Sequence, residues 1–165
     1  MQLTQKETEL LKDLAGQEQL CVEKYRKHAA DAKDPGLSGL LSYIGGIEAG
    51  HLKAVKEIKN GGVPTLGSAS PAPAIGEAAN TDAEAKKCDA FICSDLLATE
   101  KHASHLYDTC IFEFGQPEYR KTLNRIQTEE QEHGKLIYDY MKKNGMYSYC
   151  LLYTSPSPRD KRQSR

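Results

Sequence analysis

Apolar residues recur every three or four positions in four separate runs, the period of an amphipathic helix rather than the alternation of a strand. In the first run Leu11, Leu14, Cys21, Tyr25 and Ala29 share one face. Asp34-Pro35-Gly36 ends it, because the residue before a proline is pushed out of the helical region and Pro35 is suited to open the next helix. Leu37, Leu40, Leu41, Ile44, Leu52, Val55 and Ile58 stripe a second helix, stopped at Asn60-Gly61-Gly62. Phe91, Ile92, Leu96, Ala103, Tyr107, Ile111 and Phe114 stripe a third, and Gly115-Gln116-Pro117 is its turn. Tyr119, Leu123, Ile126, Ile137 and Met141 stripe a fourth, stopped by Asn144-Gly145.

Four helices of roughly 25 residues would each be about 40 Å long at 1.5 Å per residue. Between the second and third lies NGGVPTLGSASPAPAIGEAAN, rich in Gly, Pro, Ala and Ser and nearly free of large apolar side chains, a linker composition. The pattern predicts an all-α antiparallel four-helix bundle made of two hairpins, residues 3–59 and 84–143. The linker, 60–83, is long enough to cross the bundle between helices 2 and 3.

The two hairpins read as a repeat. Sliding the chain by 82 positions without gaps aligns ten identical residues. Leu14 meets Leu96, Tyr25 meets Tyr107, Pro35 meets Pro117, Leu41 meets Leu123 and Ile44 meets Ile126. Those matches follow from two hairpins packing alike. Glu18 with Glu100, Glu48 with Glu130 and His51 with His133 do not, because an apolar stripe has no use for carboxylates or imidazoles.

Turn-distance arithmetic tests whether these six could meet. Glu18 lies 17 residues before Pro35, with Glu48 and His51 13 and 16 after it. Glu100, Glu130 and His133 repeat the same three distances around Pro117. In an antiparallel pair, equal distance from the turn means equal height, and residues three apart share a helix face. Four glutamates and two histidines are therefore expected at one level of the core. Burying four carboxylates without counter-charge is prohibitive, and two metal ions resolve it. Two glutamates plus two Glu-x-x-His motifs is the ligand set of di-iron and di-manganese carboxylate bundles. The expected cofactor is a pair of iron or manganese ions on Glu18, Glu48, His51, Glu100, Glu130 and His133. The alternatives are surface coincidence, or a decayed site held by protonated carboxyls and water.

Tyr25 and Tyr107 lie two turns beyond Glu18 and Glu100 and face the same core, where each either donates to a ligand carboxylate or simply packs. Glu23, Glu129 and Glu132 fall off the stripes and read as solvated, and His28, His102 and His105 as surface or helix-end histidines. Gly45, Gly46 and Gly50 are unexpected inside a helix, where each costs about 1 kcal/mol against alanine. They signal either close helix approach or a softer segment. Cys21, Cys88, Cys93, Cys110 and Cys150 form no C-x-x-C pair and read as free thiols.

Length and charge narrow the class. The 165 residues suit one domain. A net charge of −1, from 22 basic and 23 acidic residues, argues against a binder living on nucleic-acid phosphates. Mean hydropathy is −0.62 and no membrane span is expected. Met1 to Leu20 lacks the apolar core of a secretory signal, so a soluble intracellular chain is expected. Residues 150–160, CLLYTSPSPRD, resemble the in-frame translation of a transposase-type sequencing adapter. Residues 150–165 are therefore expected to be a disordered, non-native tail, with the native end near Tyr147 to Tyr149. Without that tail, which carries Arg159, Lys161, Arg162, Arg165 and one acid, Asp160, the balance is 18 basic to 22 acidic residues, a net of −4.

Three blocks, LTQKETELLKDLAGQEQLCVEKY, CSDLLATEKHASHLYDTCIFEF and IQTEEQEHGKLIYDYMKKNGMY, resemble the coat F family of bacterial spore coat proteins. The similarity covers residues 1 to about 147. Members occur in endospore-forming Firmicutes and belong to the ferritin-like superfamily, and typically end just after the NGMY segment. The Gly-rich stretch from Tyr43 to Gly50 departs from the family's more polar pattern. The resemblance implies a structural coat protein, made in the mother-cell cytoplasm and deposited on the forespore. Its expected partners are other coat proteins and a possible second copy of itself, with no nucleic acid and no membrane. A ferritin-like oxidoreductase handling peroxide or oxygen at the metal pair is the competing reading, and whether the chain is an enzyme stays open.

Overall fold

The computed structural model describes residues 3–68, 70–79 and 82–147. The tail read as adapter-like, 150–165, lies outside the described residues. Four helices carry the chain: α1 Gln5–Asp31, α2 Pro35–Lys59, α3 Ala83–Ile111 and α4 Pro117–Lys143. The sequence dictates their starts. Thr4 and Glu7 form a reciprocal capping box at α1. Asp34 caps α2 through Leu37 N–H, Asp82 caps α3 through Ala85 N–H, and proline opens both α2 and α4. Gly61, at φ +82°, supplies the left-handed residue that closes the end of α2.

α1 packs on α2 and α3, and α4 packs on α3 and α2, so the helices close a ring. Contacts across the bundle fix the directions. Tyr25 meets Glu100 while Tyr107 meets Glu18, so α1 and α3 run antiparallel. His51 meets Glu130 while His133 approaches Glu48, so α2 and α4 do too. α2 and α3 are then parallel, and the chain between them must travel the length of the bundle. It does so tethered rather than loose. Arg125 donates to Leu66 O at 2.8 Å, Tyr43 to Ser70 O at 2.7 Å and Lys143 to Ile75 O at 2.7 Å. Ala78 N–H donates to Asn144 at 2.7 Å.

The core is two apolar clusters rather than one. Leu11, Leu14, Val55, Ile58, Tyr107, Phe114, Tyr119, Leu123 and Ile126 belong to the first. Tyr25, Leu37, Leu41, Ile44, Ile92, Leu96, Ile137 and Tyr140 belong to the second. Five stripe residues depart from the expectation. Phe91 is 69% exposed, because consecutive helix positions point about 100° apart and Ile92 takes the core. Ala29, Leu52 and Ile111 are only partly buried. Phe114 is buried, but beyond the end of α3, so the turn delivers it to the core. Among the glycines of α2, Gly45 has the structural reason: a Cβ there would sit 3.1 Å from Tyr25 Cβ on α1. Gly46 and Gly50 face open space. No helix among the described residues is long and apolar enough to cross a membrane.

Candidate metal centre

Between the two apolar clusters lies a polar layer to which every helix contributes. Glu18 comes from α1, Glu48 and His51 from α2, Glu100 from α3, Glu130 and His133 from α4. None is more than 2% exposed. The i,i+3 spacing puts each Glu-x-x-His pair on one inward face, and the equal distances from Pro35 and Pro117 bring both hairpins to the same height.

Ligand atoms fall into two overlapping groups, each within 4.8 Å: Glu18, Glu48, His51 and Glu130, and Glu48, Glu100, Glu130 and His133. Glu48 and Glu130 belong to both. The arrangement is crossed and near-symmetric. His51 Nδ1 lies 2.9 Å from Glu130 Oε1, and His133 Nδ1 lies 2.7 Å from Glu48 Oε1. The two imidazoles stack at 5.6 Å. Tyr107 donates to Glu18 Oε1 at 2.6 Å, and Tyr25 donates to Glu100 Oε1. Each tyrosine therefore holds the terminal glutamate of the opposite hairpin.

Electrostatically the layer is under-compensated. Burial, reinforced by the charge on Glu48, pushes the Glu18 carboxyl up to about 8. Burial and the same charge push Glu130 well above the carboxylate range. Burial acts on Glu48 too, but the proximity and charge of His133, 2.7 Å away, and of His51, 3.8 Å away, outweigh it and hold Glu48 at about 2. Glu48 and Glu130 occupy equivalent positions in the repeat, and the charge on the one raises the other. Burial lowers His133, but Glu100 and Glu48 more than reverse this and raise it to about 9. His51 is raised well above its usual range against the same opposition, chiefly by Glu129 and Glu130. Burial and then the charges of Glu100 and Glu18 raise Tyr25 and Tyr107 respectively, so both remain hydrogen-bond donors.

Satisfaction within the layer is incomplete. Five buried carboxylate oxygens of the layer lack a hydrogen-bond partner: Glu18 Oε2, both oxygens of Glu48, Glu100 Oε2 and Glu130 Oε2. His133 Nδ1 joins them, because its 2.7 Å approach to Glu48 is not aligned for hydrogen bonding. Orphaned oxygens in a dry core are costly. The donor chemistry, carboxylate oxygen and neutral imidazole nitrogen, suits iron or manganese. This buried Glu/His cluster could hold a metal ion.

The outer contacts hold one surprise. Glu129, expected in solvent, accepts from His51 Nε2 at 2.7 Å and from Arg125 Nε at 2.9 Å. Its position is off its own helix's stripe yet faces the back of an imidazole on α2. The Arg125-x-x-x-Glu129 spacing signals the ion pair along α4 but not the contact to His51 across the bundle. Cys21, read as an apolar packer, is fully buried, and its thiol is raised by burial and then by Glu48 and Glu18. Gln17 donates to its sulfur at 3.5 Å. His28 sits in the last turn of α1 against Asp95 at 2.8 Å, while His102 and His105 are exposed.

Residues 88–149 match the family described as the Coat F domain. The matched stretch contains Glu100, Glu130 and His133, one terminal glutamate and one complete Glu-x-x-His pair. This match supports a spore coat protein. No curated protein and no solved structure matches the chain.

Proposed function

We propose that the chain is a structural protein of the spore coat, built on a ferritin-like bundle that retains a two-metal carboxylate centre. In this reading residues 1–147 are one bundle domain. One ion would be held by Glu18 and His51 together with Glu48 and Glu130, the other by Glu100 and His133 with the same two glutamates. Tyr25 and Tyr107 hold the terminal carboxylates in place from the opposite hairpin. The protein is synthesised in the mother-cell cytoplasm and deposited beside other coat proteins, with a second copy of itself as a further contact.

The observation that carries the metal reading is the set of five orphaned carboxylate oxygens, all inside two overlapping four-residue donor groups. Two divalent or trivalent ions would satisfy them together. Bound iron or manganese would supply Lewis acidity and paired redox equivalents. The protein would supply the dry cavity, the bridging carboxylates and the tyrosine hydrogen bonds. A second reading, an oxidoreductase handling peroxide or oxygen at the same ions, is favoured by a cavity of about 460 Å³ that reaches Glu100 and Glu130.

Metal analysis tests the proposal. After reconstitution with iron or manganese, the chain should retain about two ions, and the Glu48→Ala/Glu130→Ala double variant almost none. Retention below about 0.2 ion per chain would leave a purely structural protein. Full loading without peroxide or oxygen turnover would leave a structural metal pair.

A further inference from the structure

The two halves of the centre are not equally open. On the α2–α4 side, His51 Nε2 is tied to Glu129, and Glu129 to Arg125. Arg125 also grips the crossover through Leu66 O at 2.8 Å and Gly67 O. The cavity left there is about 190 Å³ and reaches only His51 and Glu129 among these polar groups. On the α3–α4 side, the cavity of about 460 Å³ has Glu100 and Glu130 in its lining. Leu97, Lys101, Gly134 and Tyr138 form more of its wall.

The repeat shows that this wall is built differently from its counterpart. At the 82-residue offset, Gly134 stands where the first hairpin has Leu52, Lys101 where it has Gln19, and Ser104 where it has Val22. The ligand positions are identical in both hairpins, while these three are not. The second hairpin has no leucine side chain there, and has a cation and a hydroxyl instead. A Cβ at Gly134 would meet Leu97 Cδ1 at 3.6 Å and Glu100 Cβ at 3.7 Å, ordinary contact. Packing therefore does not demand glycine there.

We infer that the ion on Glu100 and His133 is the one that accepts an exogenous ligand, a small anion reaching it through the α3–α4 cavity past Gly134 and Lys101. This inference rests on the two-metal reading. With both ions in place Glu100 and Glu130, which line the cavity, are neutralised, and Lys101 makes the approach favourable to negative charge. Lys135 contributes less, since Asp139 pairs with it. The opposite ion is approached only through the smaller cavity of about 190 Å³, behind Glu129 and the crossover.

Azide titration of the iron-loaded full chain, followed by its iron charge-transfer absorbance, tests this. Gly134→Leu should fill the cavity and weaken azide binding by about tenfold or more with iron content unchanged. Gly134→Ala should weaken it by a smaller factor, and covers the case in which leucine disturbs folding. Gly50→Leu, which lines only the α2 side, should leave azide binding intact. Lys101→Gln should weaken it most at low salt. If the glycine variants at position 134 bind azide like the parent, or if Gly50→Leu is the variant that loses it, the access route is wrong and the metal reading stands. If the unmodified chain takes up no iron, the metal reading falls and this inference with it.

Discussion

In the two-metal reading, Glu129 is the side chain whose removal would tell the two ions apart. A metal-bound histidine needs one nitrogen as donor and the other fixed, and Glu129 fixes His51 through Nε2 at 2.7 Å. With Glu129→Ala, the ion on Glu18 and His51 should bind about 10–100-fold more weakly, while its neighbour changes little. Competition against a calibrated chelator should then turn biphasic. The six candidate ligands were legible in the sequence because charged residues interrupted apolar stripes at matched distances from two prolines. Glu129 was not, because its relevance comes from the helix opposite. A stripe records only what its own helix turns inward. The crossed tyrosines were half legible: their facing the core could be read, but their reaching the other hairpin's glutamate needed the α1–α3 register.

The four helices were the most legible part, since each carries its period and its stop signals. Their starts at Pro35 and Pro117 coincide with the prolines themselves. Phe91 escaped because two adjacent apolar residues cannot both face one core, and the pattern does not say which one does. The crossover's composition announced a linker but not its tethers, which are backbone carbonyls gripped by Arg125, Tyr43 and Lys143. The glycines of α2 divide by packing. Gly45→Val would push into Tyr25 and should destabilise the chain by about 1–3 kcal/mol. Gly46→Ala meets nothing and should stabilise it by about 0.5–1 kcal/mol through helix propensity. Urea unfolding of both variants checks the contrast.

At the scale of the whole molecule, two apolar clusters clamp a layer of charge, and the metal-free chain must carry that layer on protons. Glu18 folded, at about 8, lies above its ordinary 4.5, and His133, at about 9, above its ordinary 6.5. Both bind protons more tightly folded than unfolded. The stability they contribute is complete below those ordinary values and is lost as pH rises to 8 and 9. Glu48, held at about 2, acts in the opposite sense: its contribution is present above 4.5 and lost as pH falls toward 2. Metal-free protein should therefore melt highest near about pH 5–6 and decline towards pH 9. Metal displaces those protons, so the gap in Tm between loaded and chelator-treated protein should widen across the same rise. Scanning calorimetry at stepped pH reads this directly.

The central claim is that four glutamates and two histidines converge to hold two ions. Anomalous diffraction from a crystal of the manganese- or iron-loaded chain tests it most directly. The expected result is two peaks about 3.5–4 Å apart. One should lie among Glu18, Glu48, His51 and Glu130, the other among Glu48, Glu100, Glu130 and His133. A core showing only water and hydrogen-bonded carboxyls at that level, without an anomalous peak, would contradict it.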